Sequence, residues 1–186
     1  MPKVNIYNTK KKYKVILADP PWAFSNVKTG GSMTSGSDHQ YKAVMSIEDL
    51  KAMPIEELAE EDAMLVMWWV GSMPQEAIDL VEAWGFTIKN MNGFVWNKLT
   101  PKGLPHFGMG FYTRAGSESA IIAVRGKFKP ASHGVRAVRS APVGRHSAKP
   151  KEFYYDIEHL AGEGRKLELF ARKTRKGWDS FGNEIS

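Results

Sequence analysis

The sequence predicts an α/β fold with a largely parallel sheet flanked by helices. Short apolar runs recur along the chain, and segments with helical periodicity separate them. The first run, residues 13–18, ends abruptly at Asp19 and two prolines. Ligands of such sheets bind beyond the carboxyl ends of the strands. The segment after residue 18 is therefore the first candidate for a functional loop.

The predicted elements follow from apolar periodicity and from helix start and stop signals. Strands are predicted at residues 13–18, 63–70, 93–97, 119–124 and 166–171. A helix is predicted from residue 46 to about 54, and a further helical piece follows to about 61. A second helix is predicted to begin at a capping box at 72–75, with Pro74 in its first turn, and to end at Gly85. A third is predicted from about 150 to Gly162, and residues 126–146 are predicted to be loop.

Length and composition bound the class of protein. The 186 residues fit one domain, 1–186, in which residues 1–12 are expected to form a flexible basic terminus. The absence of cysteine excludes disulfides, thiolate metal sites and cysteine nucleophiles, and the histidines lack metal-ligand spacing, so no metal is predicted. We expect neither a signal peptide nor a membrane span, because the first residues lack an apolar core and no apolar stretch is long enough to span a membrane. We therefore expect a cytoplasmic protein of a bacterium or phage-infected host, monomeric or homodimeric.

The formal net charge of +6 favours polyanionic partners such as nucleic acid. Lysines cluster at 10–14, and lysines and arginines recur from 127 to 151. These charges form either a solvated face or a rim that contacts phosphates.

The segment Asp19-Pro20-Pro21-Trp22 suits chemistry on an aromatic amine. The lone pair of such an amine is delocalised into the ring, and two hydrogen-bond acceptors on its hydrogens free that pair. Asp19 supplies a carboxylate, and the consecutive prolines form a stiff corner that offers only acceptors. Trp22 offers a flat face on which a base can stack. The alternative interpretation is a simple Asp-Pro turn.

The chain resembles the MT-A70 family of adenine-N6 methyltransferases, in the small single-domain form of phages and bacteria. The resemblance covers about residues 14–184, and its landmarks occur in family order. They are Ala18-Asp-Pro-Pro-Trp22, Tyr41, Met45-Ser46, Met64-Leu-Val-Met-Trp-Trp69, Phe94-Val-Trp-Asn-Lys98, Glu118, Val124-Arg-Gly126, Arg145-His-Ser-Ala-Lys-Pro150, Glu152, Tyr154, Lys166-Leu-Glu-Leu-Phe-Ala-Arg172, Trp178 and Gly182-Asn183.

This resemblance implies a Rossmann-like methyltransferase fold in a permuted order, with the catalytic strand before the cofactor strand. It implies S-adenosylmethionine as the cofactor and methylation of adenine N6 as the activity. The catalytic residues would be Asp19, Pro20, Pro21 and Trp22, and the cofactor would be held by Asp19, Lys149, Glu168, Phe170, Arg172 and Asn183. The human-type pattern is not matched at Ser117, Thr174 and Glu184, which are left out of the cofactor set.

Nucleic acid is the expected partner, with DNA preferred over RNA and the target base flipped or single-stranded. Two loops, 25–41 and 101–116, are candidates for binding it. The second of them mixes aromatic and basic residues. The predicted substrate-binding residues are Trp22, Tyr41, Lys98, Tyr112, Arg114 and Arg145. The alternatives are an inactive nucleic-acid-binding subunit, or an enzyme that methylates a small molecule or protein. The intact Asp19 and 168–172 segments favour activity over the first.

Overall fold

The structure is a computed structural model that describes residues 3–22, 45–110, 112–144, 148–182 and 185. It is built around one sheet with helices on both faces. The strands are β1 (Tyr13–Ala18), β2 (Ala59–Trp69), β3 (Thr87–Leu99), β4 (Ser117–Arg125), β5 (Val138–Pro142), β6 (Lys166–Leu169) and β7 (Asp179–Phe181). The helices are α1 (Ile47–Lys51), α2 (Ile55–Leu58), α3 (Pro74–Ala83) and α4 (Glu152–Ala161).

The seven strands that the described residues form lie in the order β5-β3-β4-β2-β1-β6-β7. Strand β4 pairs antiparallel with β2 and β3, whereas the other pairings in this sheet are parallel. The predicted α/β class with a largely parallel sheet is therefore confirmed. Strand β1 lies between β2 and β6, so the chain leaves β1 and β6 at the same edge of the sheet.

The two faces of the sheet are covered by different helices. On β2, Leu65 and Met67 join the apolar cluster under α1, α2 and α3, whereas Met64, Val66 and Trp68 join the cluster under α4. This alternation is the two-residue period of a strand. A strand buried on both faces reads as a continuous apolar run, which is why β1 and β2 were visible in the sequence.

Some boundaries differ from the prediction. Strand β2 begins at Ala59, so helix α2 ends at Leu58 rather than near Glu61. The predicted capping box at 72–75 is wrong: Met73 is the N-cap of α3, without a side-chain cap bond, although Pro74 does lie in the first turn. The predicted loop 126–146 contains β5, which alternates between half-buried and exposed residues and therefore lacks an apolar run.

Residues 3–12 do not form the free basic terminus expected of 1–12. Val4 and Ile6 are buried, and the Val4 N–H donates to the Ser180 carbonyl at 3.0 Å beside β7. The Lys11 ammonium pairs with Asp179 at 2.8 Å. Two apolar side chains among the lysines anchor this segment to the edge of the sheet.

Candidate active site at the carboxyl edge of the sheet

The Asp-Pro-Pro-Trp corner directly follows β1. Both prolines are buried, and the Trp22 N–H donates to the Pro20 carbonyl at 2.9 Å, which closes a tight turn. Trp22 also forms a parallel bridge with Met45. The Asp19 side chain keeps 31% of its surface exposed. The corner therefore holds a carboxylate at the accessible edge of the sheet on a fixed piece of backbone.

Trp22 does not present the open face that the sequence interpretation required. Its side chain is 4% exposed and packs in the apolar cluster beneath α1 and α3. Its indole N–H donates to the Trp68 carbonyl at 3.2 Å. A covered and hydrogen-bonded indole anchors the corner to β2, and in this conformation a base cannot stack on it.

Four alternating charges extend from the corner across three elements. The Lys149 ammonium, before α4, lies 2.6 Å from an Asp19 oxygen and 3.2 Å from a Glu118 oxygen. The other Glu118 oxygen lies 2.6 Å from the Lys98 ammonium. Glu118 stands near the start of the antiparallel strand β4, so it lies at the edge where β1 and β3 end.

Burial and charge act against each other in this group of four residues, Asp19, Lys149, Glu118 and Lys98, called here the edge cluster. Burial lowers the pKa of the Lys149 ammonium, but Asp19 and Glu118 outweigh it and raise that pKa above its usual value. Burial raises the pKa of the Glu118 carboxyl, but Lys149 and Lys98 outweigh it and hold the pKa below its usual value. Lys149 and Glu118 therefore stay ionised, and Lys149 also lies over the Trp68 ring at 5.2 Å.

A second group of polar residues surrounds Glu168 on β6. Glu168 pairs with Leu17 of β1, two residues before Asp19, so it lies beside the corner. The Tyr154 hydroxyl of α4 donates to a Glu168 oxygen at 2.7 Å, and the Arg175 guanidinium lies 3.5 Å from the centre of the Tyr154 ring. Burial raises the pKa of the Glu168 carboxyl, and the charge of Asp19 adds to that rise. The two carboxylates are close enough to repel each other.

The residues at this edge fit a ligand with an ammonium and a carboxylate. Asp19 and Glu168 offer adjacent negative charge. Within the described part of the chain, the Arg175 Nε is buried and lacks a hydrogen-bond partner. Such an orphaned donor near the Glu168 carboxylate suits the amino-acid end of S-adenosylmethionine, which carries both an ammonium and a carboxylate.

The loop after β6 turns sharply at Phe170, which has φ of 60°. A non-glycine residue in this region is strained, and such residues cluster at ligand sites. Phe170 packs against the cluster beneath α1 and α3, and Arg172 is half-buried and makes an interaction of its own. Asn183, the last predicted cofactor residue, lies outside the described residues.

The predicted substrate residues fall into three groups. Lys98 is held by Glu118 with 18% of its side chain exposed, so it belongs to the edge cluster and does not project toward solvent. Tyr112 is fully exposed, and Arg114 is exposed with its guanidinium 5.1 Å from the centre of the Phe107 ring. Tyr41, Arg145 and the loop 25–41 lie outside the described residues.

Among the ranges that the structure describes, no group of three or more His, Asp or Glu side chains is arranged to hold a metal ion. Within the same ranges, no helix is both long and apolar enough to cross a bilayer.

The sheet, its order and the acidic corner define a Rossmann-like methyltransferase class. Residues 13–184 match the MT-A70 family, and the chain belongs to that family. The resemblance inferred from the ordered landmarks is confirmed.

The chain is 31% identical over 193 residues to the type II methyltransferase M.MunI of a Mycoplasma species, covering 95% of this chain and 79% of that protein. It is 26% identical to human N(6)-adenine-specific methyltransferase METTL4 and to human N(6)-adenosine-methyltransferase catalytic subunit METTL3, covering 97% and 94% of this chain. The chain spans only 39% and 28% of those two proteins. The shared part is therefore the methyltransferase domain found here.

Sequence reasoning assigned no role to three residues that the structure brings into the site. Glu118 and Tyr154 were matched only as landmarks, and Arg175 was not singled out. An Arg in a basic loop is indistinguishable from a solvated one until its neighbours are known. Two acids at the ends of adjacent strands, Asp19 and Glu168, were the available signal that cationic partners must lie nearby.

Proposed function

We propose that the protein transfers a methyl group from S-adenosylmethionine to the N6 amine of adenine in DNA, as a site-specific, adenine-specific DNA methyltransferase. The observation that carries the proposal is the position of Asp19. Its carboxylate is partly exposed at the end of β1, between the Lys149 ammonium on one side and the cofactor strand β6 on the other. The relative M.MunI, a type II methyltransferase, supports DNA as the substrate.

The corner acts on the target amine by accepting its hydrogens. Lys149 binds the Asp19 Oδ2 atom, so the other oxygen of that carboxylate is directed to accept from one N6 hydrogen. A proline carbonyl of the corner accepts the second hydrogen; the Pro20 oxygen already receives the Trp22 N–H but has a second lone pair. With both hydrogens held, the nitrogen lone pair leaves conjugation with the ring and becomes available for methylation. Asp19 takes the proton that the amine releases on transfer.

S-adenosylmethionine, when bound, supplies an electrophilic methyl group on a sulfonium. Asp19 and Glu168 place negative charge beside the cofactor strand, which favours a cationic ligand. The Tyr154 hydroxyl fixes the Glu168 carboxylate by donating to one of its oxygens. The loop at Phe170 and Arg172, together with Lys149 of the edge cluster, completes the proposed cofactor contacts.

The deciding experiment is a methyl-transfer assay with labelled S-adenosylmethionine and matched DNA and RNA oligonucleotides, digested to nucleosides. We expect label in N6-methyldeoxyadenosine. Label in N6-methyladenosine instead would identify RNA as the substrate, an alternative supported by the likeness to the N(6)-adenosine-methyltransferase METTL3. Label in cytosine, or in neither nucleic acid, would refute adenine methylation.

The matched variants test the role of the corner. Asp19→Asn should abolish transfer in the folded protein, because the negative charge is lost. Its melting temperature should fall only as far as the lost ion pair with Lys149 requires, and an unchanged circular dichroism spectrum shows that the fold is kept. Asp79→Asn removes a carboxylate on the surface of α3 that pairs with Lys51 at 3.6 Å, and it should keep wild-type activity. Wild-type turnover by Asp19→Asn would show that the assigned role is wrong.

A further inference from the structure

We propose that Arg175 binds the carboxylate of the cofactor's methionine moiety, an inference that rests on the proposed function. Arg175 lies in the loop between β6 and β7, beside Tyr154 of α4 and near Glu168 of β6. It stacks on Tyr154, Tyr154 donates to Glu168, and Glu168 interacts electrostatically with both Arg175 and Asp19. These contacts connect Arg175 to the catalytic edge.

The hydrogen-bonding state of Arg175 indicates that a ligand completes it. In the part of the chain that the structure describes, its Nε atom is buried and lacks an acceptor. A buried N–H of a charged group that remains unpaired is costly, and native proteins rarely leave one without protein, water or ligand as partner. An anionic oxygen at this position removes the cost.

The charges around the edge separate Arg175 from Lys149. Lys149 already contacts two carboxylates, those of Asp19 and Glu118, at 2.6 Å and 3.2 Å. Its charge is therefore already shared between two protein carboxylates before the cofactor binds. The carboxylate of the cofactor also needs a cation of its own, because Asp19 and Glu168 would otherwise repel it.

The choice of arginine also fits the role. The Arg175 guanidinium lies 3.5 Å from the centre of the Tyr154 ring, and this stacking fixes the plane of its donors. A fixed guanidinium binds a carboxylate with two parallel hydrogen bonds, which a lysine ammonium cannot do. The geometry therefore points to a carboxylate as the ligand and to the cofactor as the molecule that carries it.

The test compares two ligands that differ only in the carboxylate. Calorimetry measures binding of S-adenosylhomocysteine and of its decarboxylated analogue, which ends in an aminopropyl group, to the whole chain. Arg175→Gln should weaken binding of S-adenosylhomocysteine by about 10- to 100-fold, the size of a charge-assisted contact, but leave the decarboxylated analogue within about threefold. Lys176→Gln, an exposed cation in the same loop, should bind both ligands as the wild type does.

Equal weakening of both ligands by Arg175→Gln would assign the residue a structural role through Tyr154 and overturn the inference, as would unchanged binding of both. Arg175→Lys should recover only part of the affinity, since it restores the charge without the planar donors. If the wild-type chain binds neither ligand, the proposed cofactor is wrong and the inference falls with it.

Discussion

The Lys149 ammonium lies 2.6 Å from the Asp19 carboxylate, although 130 positions separate the two residues in the chain. The fold makes this contact possible because the segment before α4 passes the carboxyl end of β1. Lys149 leaves one Asp19 oxygen to a substrate and fixes the rotamer of the carboxylate. It is thus a positioning residue as well as a candidate cofactor contact.

Replacing Lys149 should slow methylation, while the substrate should still bind. In Lys149→Met the apolar stem remains, but Asp19 and Glu118 lose the charge between them. We expect the single-turnover rate to fall at least about tenfold, the loss of one charge-assisted hydrogen bond. Lys151→Met removes an exposed lysine two positions away and should keep the rate. Equal rates in the two variants would contradict a positioning role for Lys149.

The edge cluster should also make stability depend on pH. The Glu118 pKa is lowered in the folded chain, so its charge stabilises the fold above the ordinary value of 4.5 and that contribution is lost as pH falls through the folded-state pKa. At pH 7, Glu118→Gln should lower the free energy of unfolding by roughly 1–3 kcal/mol.

Urea unfolding at a series of pH values checks this prediction. The difference between wild type and Glu118→Gln should shrink steadily once the pH falls below 4.5. Glu163→Gln, an exposed carboxylate after α4, should unfold like the wild type at every pH. A difference between wild type and Glu118→Gln that stays constant from pH 7 to acid would show that Glu118 carries no shifted titration.

The parts of the fold that were predictable are those whose apolar pattern is continuous. Strands β1 and β2 are buried on both faces, and α4 carries Phe153 and Ile157 on one face, so composition alone indicates them. Strand β5 has no buried residue, and β7 has three residues of which only Ser180 is buried. Such strands exist because a neighbouring strand supplies hydrogen bonds, which a single sequence does not reveal.

The candidate site divides in the same way. Asp19 and Glu168 were predictable because each follows or ends a recognisable strand, and topology brings the two together. The residues around these acids were not predictable, because Glu118 reaches Lys149 from β4 and Arg175 reaches Tyr154 from the loop after β6. Trp22 was misread because a tryptophan beside a catalytic acid looks available for stacking until its burial is known.

The anchoring role of Trp22 gives a prediction that stacking does not. Trp22→Phe loses the hydrogen bond to the Trp68 carbonyl and leaves that oxygen unpaired, which should cost about 1–3 kcal/mol of unfolding free energy. The methylation rate should fall because the corner loosens, while the dissociation constant for DNA, measured by fluorescence anisotropy, should stay unchanged.

Trp84→Phe provides the comparison for Trp22. The Trp84 indole donates to the Leu50 carbonyl at 2.8 Å in the core under α3, away from the corner. This variant should lose similar stability and keep its methylation rate once folded. Weakened DNA binding by Trp22→Phe alone would restore the stacking interpretation.

The loop between β3 and β4 is the best candidate surface for nucleic acid within the described chain. Phe107 is 75% exposed and Tyr112 is fully exposed, and Arg114 lies beside Phe107. A Cβ on Gly108 would lie 2.1 Å from the Ala115 carbonyl, so the two arms of the loop are held close together. The exposed rings therefore lie on two closely packed arms of one loop.

We expect Phe107→Ala and Tyr112→Ala each to weaken binding of a single-stranded oligonucleotide by about 5- to 150-fold, because stacking of a base on an aromatic ring contributes about 1–3 kcal/mol. Neither change should alter the melting temperature, since both rings are exposed. Tyr155→Ala removes a ring that is 60% exposed on α4 and should bind as the wild type does. Anisotropy titrations at fixed salt make the comparison, because phosphate contacts alone vary steeply with ionic strength. If all three variants bind equally well, the loop does not contact the substrate, and nucleic acid must approach the Asp19 corner from another side.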